Sequence, residues 1–171
     1  KMCCTANAVA NFFIEKSMKD KTPLSHMKIQ KMIFFAHAVF FKKYHKPLIV
    51  DPVFAWKYGP VIQSLYHELK DYGDSPITRK ISELTLSDDG KDVIFKTPEI
   101  NHQNTLLLDF LTNAYNSLNK MSASRLCSIS HAKDGAWYKT LKSKGIDPES
   151  KNPDIPRNLV ILDDAIEECG R

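Results

Sequence analysis

Cys127 and His131 lie four residues apart, which on a continuous helix places both side chains on one face. A thiol beside an imidazole is the core of a nucleophile pair, and Asp134 stands where it could orient the ring. No family signature surrounds this cysteine, and a free cysteine is also among the most readily buried small side chains. Packing is therefore the stronger reading of Cys127, with catalysis the alternative. The remaining histidines, His26, His37, His45, His67 and His102, form no H-E-x-x-H pattern, and His37 reads as a hydrogen-bonded core histidine. Asp88, Asp89 and Asp92 suggest calcium, but the loop is too short for an EF-hand and lacks its closing glutamate. With 6 glycines and no P-loop, the chain has little backbone with which to wrap a phosphate. Cys3, Cys4, Cys127 and Cys169 contain no C-x-x-C pair, which argues against a zinc site or a disulfide scaffold and for reduced thiols in a cytoplasm. These residues lead to no catalytic, cofactor or metal assignment.

The least generic segment is Ala55-Trp56-Lys57-Tyr58-Gly59-Pro60-Val61, followed by Tyr66-His67-Glu68. Tryptophan and tyrosine dominate interface hot spots, and a rigid Gly-Pro corner lowers the ordering cost of association. The residues alone leave two readings open, a packed corner and a docking surface. On the docking reading, the contact residues are Trp56, Lys57, Tyr58, Gln63, Tyr66 and His67.

The elements that must position these residues are mostly helical. Ala6, Val9, Phe12 and Phe13 mark a one-sided helix over 5–18, broken before Pro23. Ser25 stands as an N-cap for a helix reaching about Lys43 that is apolar nearly all round, the expected central helix. Val53 to Tyr58 reads as extended, and Gly59-Pro60 is expected to open a helix with Val61, Leu65, Leu69 and Tyr72 as its apolar stripe. From Ile81 the period changes to alternation around Asp89-Gly90, which predicts a β-hairpin. Leu107 to Leu118 returns to helical spacing, and 122–130 and 134–143 are shorter helices with Ser122 and Asp134 as capping residues. A proline-containing loop over 145–157, a short strand at 159–162 and a last turn to Cys169 close the chain. The expectation is a mainly α, single compact domain over 1–171 (core about 5–165) built round the central helix, with one small β-hairpin.

Composition agrees with a globular chain: 171 residues, 43% apolar, 26% charged and net +4. The longest apolar run, Met32 to Phe41, is about half a membrane span. No charged-then-apolar leader is visible, although a start at Lys1 leaves open that one was removed. Residues 1–80 carry 13 basic and 6 acidic side chains, and 81–171 carry 11 and 14. The basic half has dispersed lysines, among them Lys28, Lys31, Lys42 and Lys43, and Arg79 as its only arginine. Phosphate clamping and base readout favour arginine forks, so a solvated face is the stronger reading and a nucleic-acid surface the weaker.

Met27 to Ala36 (MKIQKMIFFA) resembles the opening of the Panacea domain, the SocA-like antitoxin family. Phe54 to Val61, then Tyr66-His67-Glu68-Leu69 and Tyr72-Gly73, is similar to that family's most specific block, and Leu126 to His131 with Trp137 to its C-terminal pattern. Phe34 and Ala136 stand where the family usually has tyrosine and proline. The resemblance implies a mainly helical domain with no established catalysis, which neutralises a toxin from a neighbouring gene by direct binding. It also implies that some members hand the toxin to a protease, and that others are stand-alone phage-associated proteins. Three functions follow for testing. The first is a cytoplasmic antitoxin-like module whose partners are a cognate toxin and a protease, with neither membrane nor nucleic acid involved. The second is a cysteine-dependent hydrolase or transferase using Cys127 and His131. The third is a nucleic-acid-binding regulator.

Overall fold

Helices begin where a short polar side chain can accept a free first-turn amide, as the computed structural model, which describes residues 4–169, makes plain. Thr5 accepts from Ala8 N at the start of α1 (Ala6–Asp20), and Ser25 from Lys28 N at 3.2 Å at the start of α2 (His26–Tyr44). Asn104 and Ser122 do the same for α4 (Thr105–Leu118) and α5 (Ala123–Ser130). Helix α6 (Ala136–Ser143) differs from expectation, because its N-cap is Gly135 and no side chain caps it; Asp134 lies one residue too early. Short α3 (Gln63–Leu69) and α7 (Asp163–Cys169) complete the helices.

The apolar surround of α2 has the predicted consequence. It packs against α1, α3, α4, α5 and α7 and against a strand, and Ile29, Met32, Ile33, Phe34 and Phe40 are buried on different sides of it. Cover on several sides is what a helix apolar nearly all round requires, and only Val39, Lys42 and Lys43 of its second half stay exposed. His37 is a core histidine as expected, its Nδ1 accepting from Leu48 N at 3.3 Å and Ile49 N at 3.4 Å.

The fold class needs correction. The fold is a mixture of helix and sheet, about 49% helix and 12% strand among the described residues, with two small sheets rather than one hairpin on a helical domain. Strands β1 (Val53–Trp56), β2 (Gly59–Ile62) and β5 (Val160–Ile161) form an antiparallel sheet in the order β2-β1-β5. The predicted β3 (Glu83–Leu86) and β4 (Val93–Lys96) form a separate hairpin closed at Gly90, where φ is +72°. The unexpected strand is β2. Gly59-Pro60 continues the chain as a strand, with Trp56 paired to Gly59 and Lys57-Tyr58 as a two-residue turn. Gly59 turns at φ +105°, a region L side chains rarely adopt. Proline is tolerated because β2 is an edge strand and Ala55, its partner, donates its amide to Leu159 O on the other side. Val61 is consequently on a strand, and only Leu65 and Leu69 of the predicted stripe are buried helix residues.

The β3–β4 hairpin is fixed at its base. Asn11 on α1, 2% exposed, donates through Nδ2 to Ile81 O at 3.0 Å and Pro98 O at 2.9 Å, and its Oδ1 accepts from Ile81 N at 2.7 Å. One buried amide thereby satisfies the backbone on both sides of the hairpin. No helix among the described residues is long and apolar enough to cross a membrane.

Candidate functional site

The β1–β2 turn is held from below by side chains of α2, α5 and α6. Lys31, placed among the apolar residues of α2, is not part of a solvated lysine face. It is 3% exposed, and its Nζ donates to Tyr58 O at 2.8 Å and Pro60 O at 3.0 Å. Burial pushes this ammonium down to about 8, with nearby Cys127 opposing the shift. Gln30, one residue earlier, closes the other end of β2: its Nε2 donates to Ile62 O at 3.1 Å and its Oε1 accepts from Ile62 N at 3.0 Å.

Gly59 sits against this clasp. A Cβ there would lie 2.7 Å from Lys31 Nζ, 2.9 Å from Ser130 Oγ and 3.1 Å from His131 Nε2. Glycine is thus required twice, by its backbone angle and by close approach. His131 stacks on Trp137 with ring centroids 4.3 Å apart and planes inclined by 16°. Trp137 Nε1 in turn donates to Trp56 O at 2.8 Å. Burial lowers the His131 pKa; the Tyr58 carbonyl opposes this and the Lys31 charge adds to it. Its Nε2 is buried without a hydrogen-bond partner.

Cys127 and His131 are therefore brought to one place, but the thiol is directed elsewhere. Cys127 Sγ donates to Tyr58 O at 3.6 Å, whereas a nucleophile pair needs the thiol proton shared with the imidazole. The same residues that suggested chemistry hold a turn. Cys3 lies outside the described residues; Cys4 Sγ donates to Leu48 O at 3.3 Å, and Cys127 and Cys169 are free thiols. Among the described residues no three His, Cys, Asp or Glu side chains gather in a way that could hold a metal. At the hairpin tip, Asp89 Oδ1 accepts from Ser87 Oγ at 2.6 Å and Lys91 N at 3.1 Å, organising the turn.

The opposite, outward side of the turn carries the six residues expected to meet a partner. Trp56 and Tyr66 are half-buried and meet edge to face, centroids 5.0 Å apart. Tyr58 is 65% exposed, with Lys57 Nζ 5.5 Å from its ring centre. Gln63 Nε2 lies 3.5 Å from His67 Nε2, on the turn of α3 beside Tyr66. None of the six is fully buried; Trp56, Tyr66, His67 and Gln63 form one connected cluster, and Lys57 and Tyr58 stand on the neighbouring turn.

Sequence reasoning missed three contributors to this surface. His26, the first residue of α2, lies 5.2 Å from the Tyr66 ring. Arg157 sits over Trp56 at 4.9 Å while its carbonyl accepts from Trp56 Nε1 at 3.1 Å, and Asn152 Oδ1 accepts from Lys57 Nζ at 3.1 Å. Arg157 and Asn152 come from the proline-containing loop, which carries no local signal of where it docks. Lys31 did leave one, as a cation directly followed by the apolar run from Met32 to Ala36.

Comparison with known proteins accords with this arrangement. The family described as antitoxin SocA-like, Panacea domain, matches residues 29–138, which include the α2 clasp residues, the β1–β2 turn, α3 and the stacked His131–Trp137 pair. The chain is 32% identical over 133 residues to Antitoxin SocA of Caulobacter vibrioides (strain NA1000 / CB15N), an alignment covering 77% of this chain and 68% of that protein. No solved structure matches. With a family match over most of its length and a relative above 30% identity, the chain belongs to the SocA-like antitoxin, Panacea-domain family.

Proposed function

We propose that this chain is an antitoxin that acts by binding: it docks a toxin encoded by a neighbouring gene and neutralises it stoichiometrically, with no catalytic step. The observation that carries the reading is the clasped β1–β2 turn, which holds Trp56, Tyr58 and Tyr66 at the surface on a base of buried hydrogen bonds. Aromatic side chains held in advance contribute large contact area with little ordering cost on association. Membership of an antitoxin family supports the same reading, as does a relative named as an antitoxin. The direction of the Cys127 thiol weighs against the hydrolase alternative.

Co-expression with the product of the neighbouring open reading frame tests it. The expected result is a co-purifying complex and relief of that product's toxicity. Trp56→Ala and Tyr66→Ala are each expected to weaken the complex by about 2 kcal/mol, roughly thirtyfold. A failure of any complex to form, together with persistent toxicity, refutes the proposal. Full retention of affinity in the double variant moves the contact away from this face.

A further inference from the structure

The β3–β4 hairpin presents an apolar face that nothing in the fold covers. Its register places Leu84 opposite Phe95 and Leu86 opposite Val93, so all four side chains lie on the same side. They are 66%, 76%, 61% and 69% exposed. At the foot of this face, Leu84 and Phe95 form one wall of an open recess of about 650 Å³. Its other walls bring three carboxylates, Asp51, Glu68 and Glu83, from three separate parts of the chain. No lysine, arginine or histidine lines the recess among the described residues, although residues 1–80 as a whole carry a basic excess.

A second observation points to a ligand. Asn7 on α1 also lines the recess and is 7% exposed. Its Nδ2 donates to Glu83 Oε1 at 2.6 Å, which fixes the amide orientation and leaves Oδ1 as a buried acceptor with no partner. Leaving such an acceptor unsatisfied costs about 1–3 kcal/mol. Asp51 has one hydrogen bond on each oxygen, from Ala6 N at 2.7 Å and Ser64 Oγ at 2.6 Å, and each oxygen keeps a further lone pair. The recess therefore offers the remaining lone pairs of Asp51 and negative charge, above the buried Asn7 acceptor, with no donor of matching charge. A guanidinium or ammonium group supplies both, and its aliphatic stem suits the Leu84–Phe95 wall.

We propose that this recess receives a lysine or arginine side chain of a partner protein, whose chain continues in extended form along the hairpin face. Leu84 and Leu86 are two strand residues apart, about 7 Å. An extended segment laid over them repeats at the same spacing, so the recognised pattern is a basic residue followed by apolar residues at alternate positions. The inference rests on the reading that this chain binds a protein, but not on the Trp56–Tyr66 face being the contact.

The probe is a blocked heptapeptide with arginine at position two, leucine at positions four and six and threonine elsewhere, titrated into the intact protein and followed by NMR. The expected result is saturable shifts at the Asn7 side-chain amide and at Leu84 and Phe95. These shifts should be lost when glutamate replaces the arginine, and weakened at least tenfold in Glu68→Lys and in Phe95→Ser. Both substituted positions are exposed, so an unchanged spectrum elsewhere shows that the variants fold. No shift with the arginine peptide at millimolar concentration, or equal shifts with the glutamate peptide, overturns the proposal. Concentration-dependent dimerisation abolished by Phe95→Ser also overturns it, because the face then serves a second copy of the chain. The co-expressed complex separates this inference from the proposed function. A complex unaffected by Glu68→Lys, with no peptide shifts, refutes the recess and leaves the antitoxin reading standing. Peptide shifts at the recess with no toxin complex do the reverse.

Discussion

Replacing Gly59 with alanine tests whether the β1–β2 turn is held as described. Two costs add. The backbone angle of +105° is sparsely populated for any residue with a Cβ, a strain of about 1–3 kcal/mol. The new methyl group would also meet Lys31 Nζ at 2.7 Å and Ser130 Oγ at 2.9 Å. Lys31 Nζ is the end of a flexible side chain, but moving it breaks its hydrogen bonds to Tyr58 O, part-buried, and Pro60 O, buried. Hydrogen bonds from a charged group contribute about 1.5–3 kcal/mol each, so partial loss adds at least the lower figure. The sum is about 3–6 kcal/mol, a large part of an ordinary domain's 5–15 kcal/mol. For a chain of this size that lowers Tm by about 10 °C or more. Gly90→Ala is the internal control: φ there is +72° and a Cβ meets nothing within 4 Å, so only the backbone cost of about 1–2 kcal/mol remains. Urea and thermal unfolding of the two variants at pH 7 provide the comparison. Gly59→Ala no more destabilised than Gly90→Ala would refute the clasp.

Other measurements probe its parts and its surroundings. Lys31 deprotonates near pH 8 in the folded chain, against about 10.5 when unfolded, so the unfolded state binds more protons in that window and stability rises with pH across it. The difference between wild type and Lys31→Met should shift by about 2 kcal/mol between pH 8 and 10, and a flat difference contradicts the burial argument. His37 acts with the same sign lower on the pH scale: burial lowers it from 6.5 to about 4, with Asp51 opposing, so the unfolded chain takes up a proton first as acid is added. Stability is therefore expected to fall by about 3 kcal/mol as pH drops from 6.5 to 4, a slope that His37→Gln should largely remove in urea titrations. Asn11→Ala leaves the Ile81 amide and two carbonyls without their partner, at about 3 kcal/mol; hydrogen exchange should accelerate in β3 and β4 more than in α2, and uniform acceleration would disprove a local anchor.

Local patterns in the sequence located the helices but misplaced the starts of α3 and α6. Ser25 and Ser122 cap their own first turns, and apolar residues lie around most of α2, so its central position follows from its composition even though Val39, Lys42 and Lys43 stay exposed. Alternation around Asp89-Gly90 likewise specified the β3–β4 hairpin, because period-two spacing and a positive-φ glycine are both local properties. Strand β2 was misread because Gly-Pro suits a helix start as well as an edge strand, and the choice depended on Lys31 and Ala55, far away in sequence or paired across the sheet. The same limit applies to the candidate sites. That Trp56, Tyr58 and Tyr66 belong together was legible from their density along the chain, and that Cys127 and His131 share a face was legible from their spacing. What those two side chains do was not, since the Tyr58 carbonyl that engages the thiol is 69 residues away. The acidic recess gathers Asn7, Asp51, Glu68 and Glu83 from four separated segments, each unremarkable where it stands. Periodicity and capping act between neighbours along the chain and can be read there; burial of a charge, and the convergence of acceptors on one space, exist only after distant segments have packed.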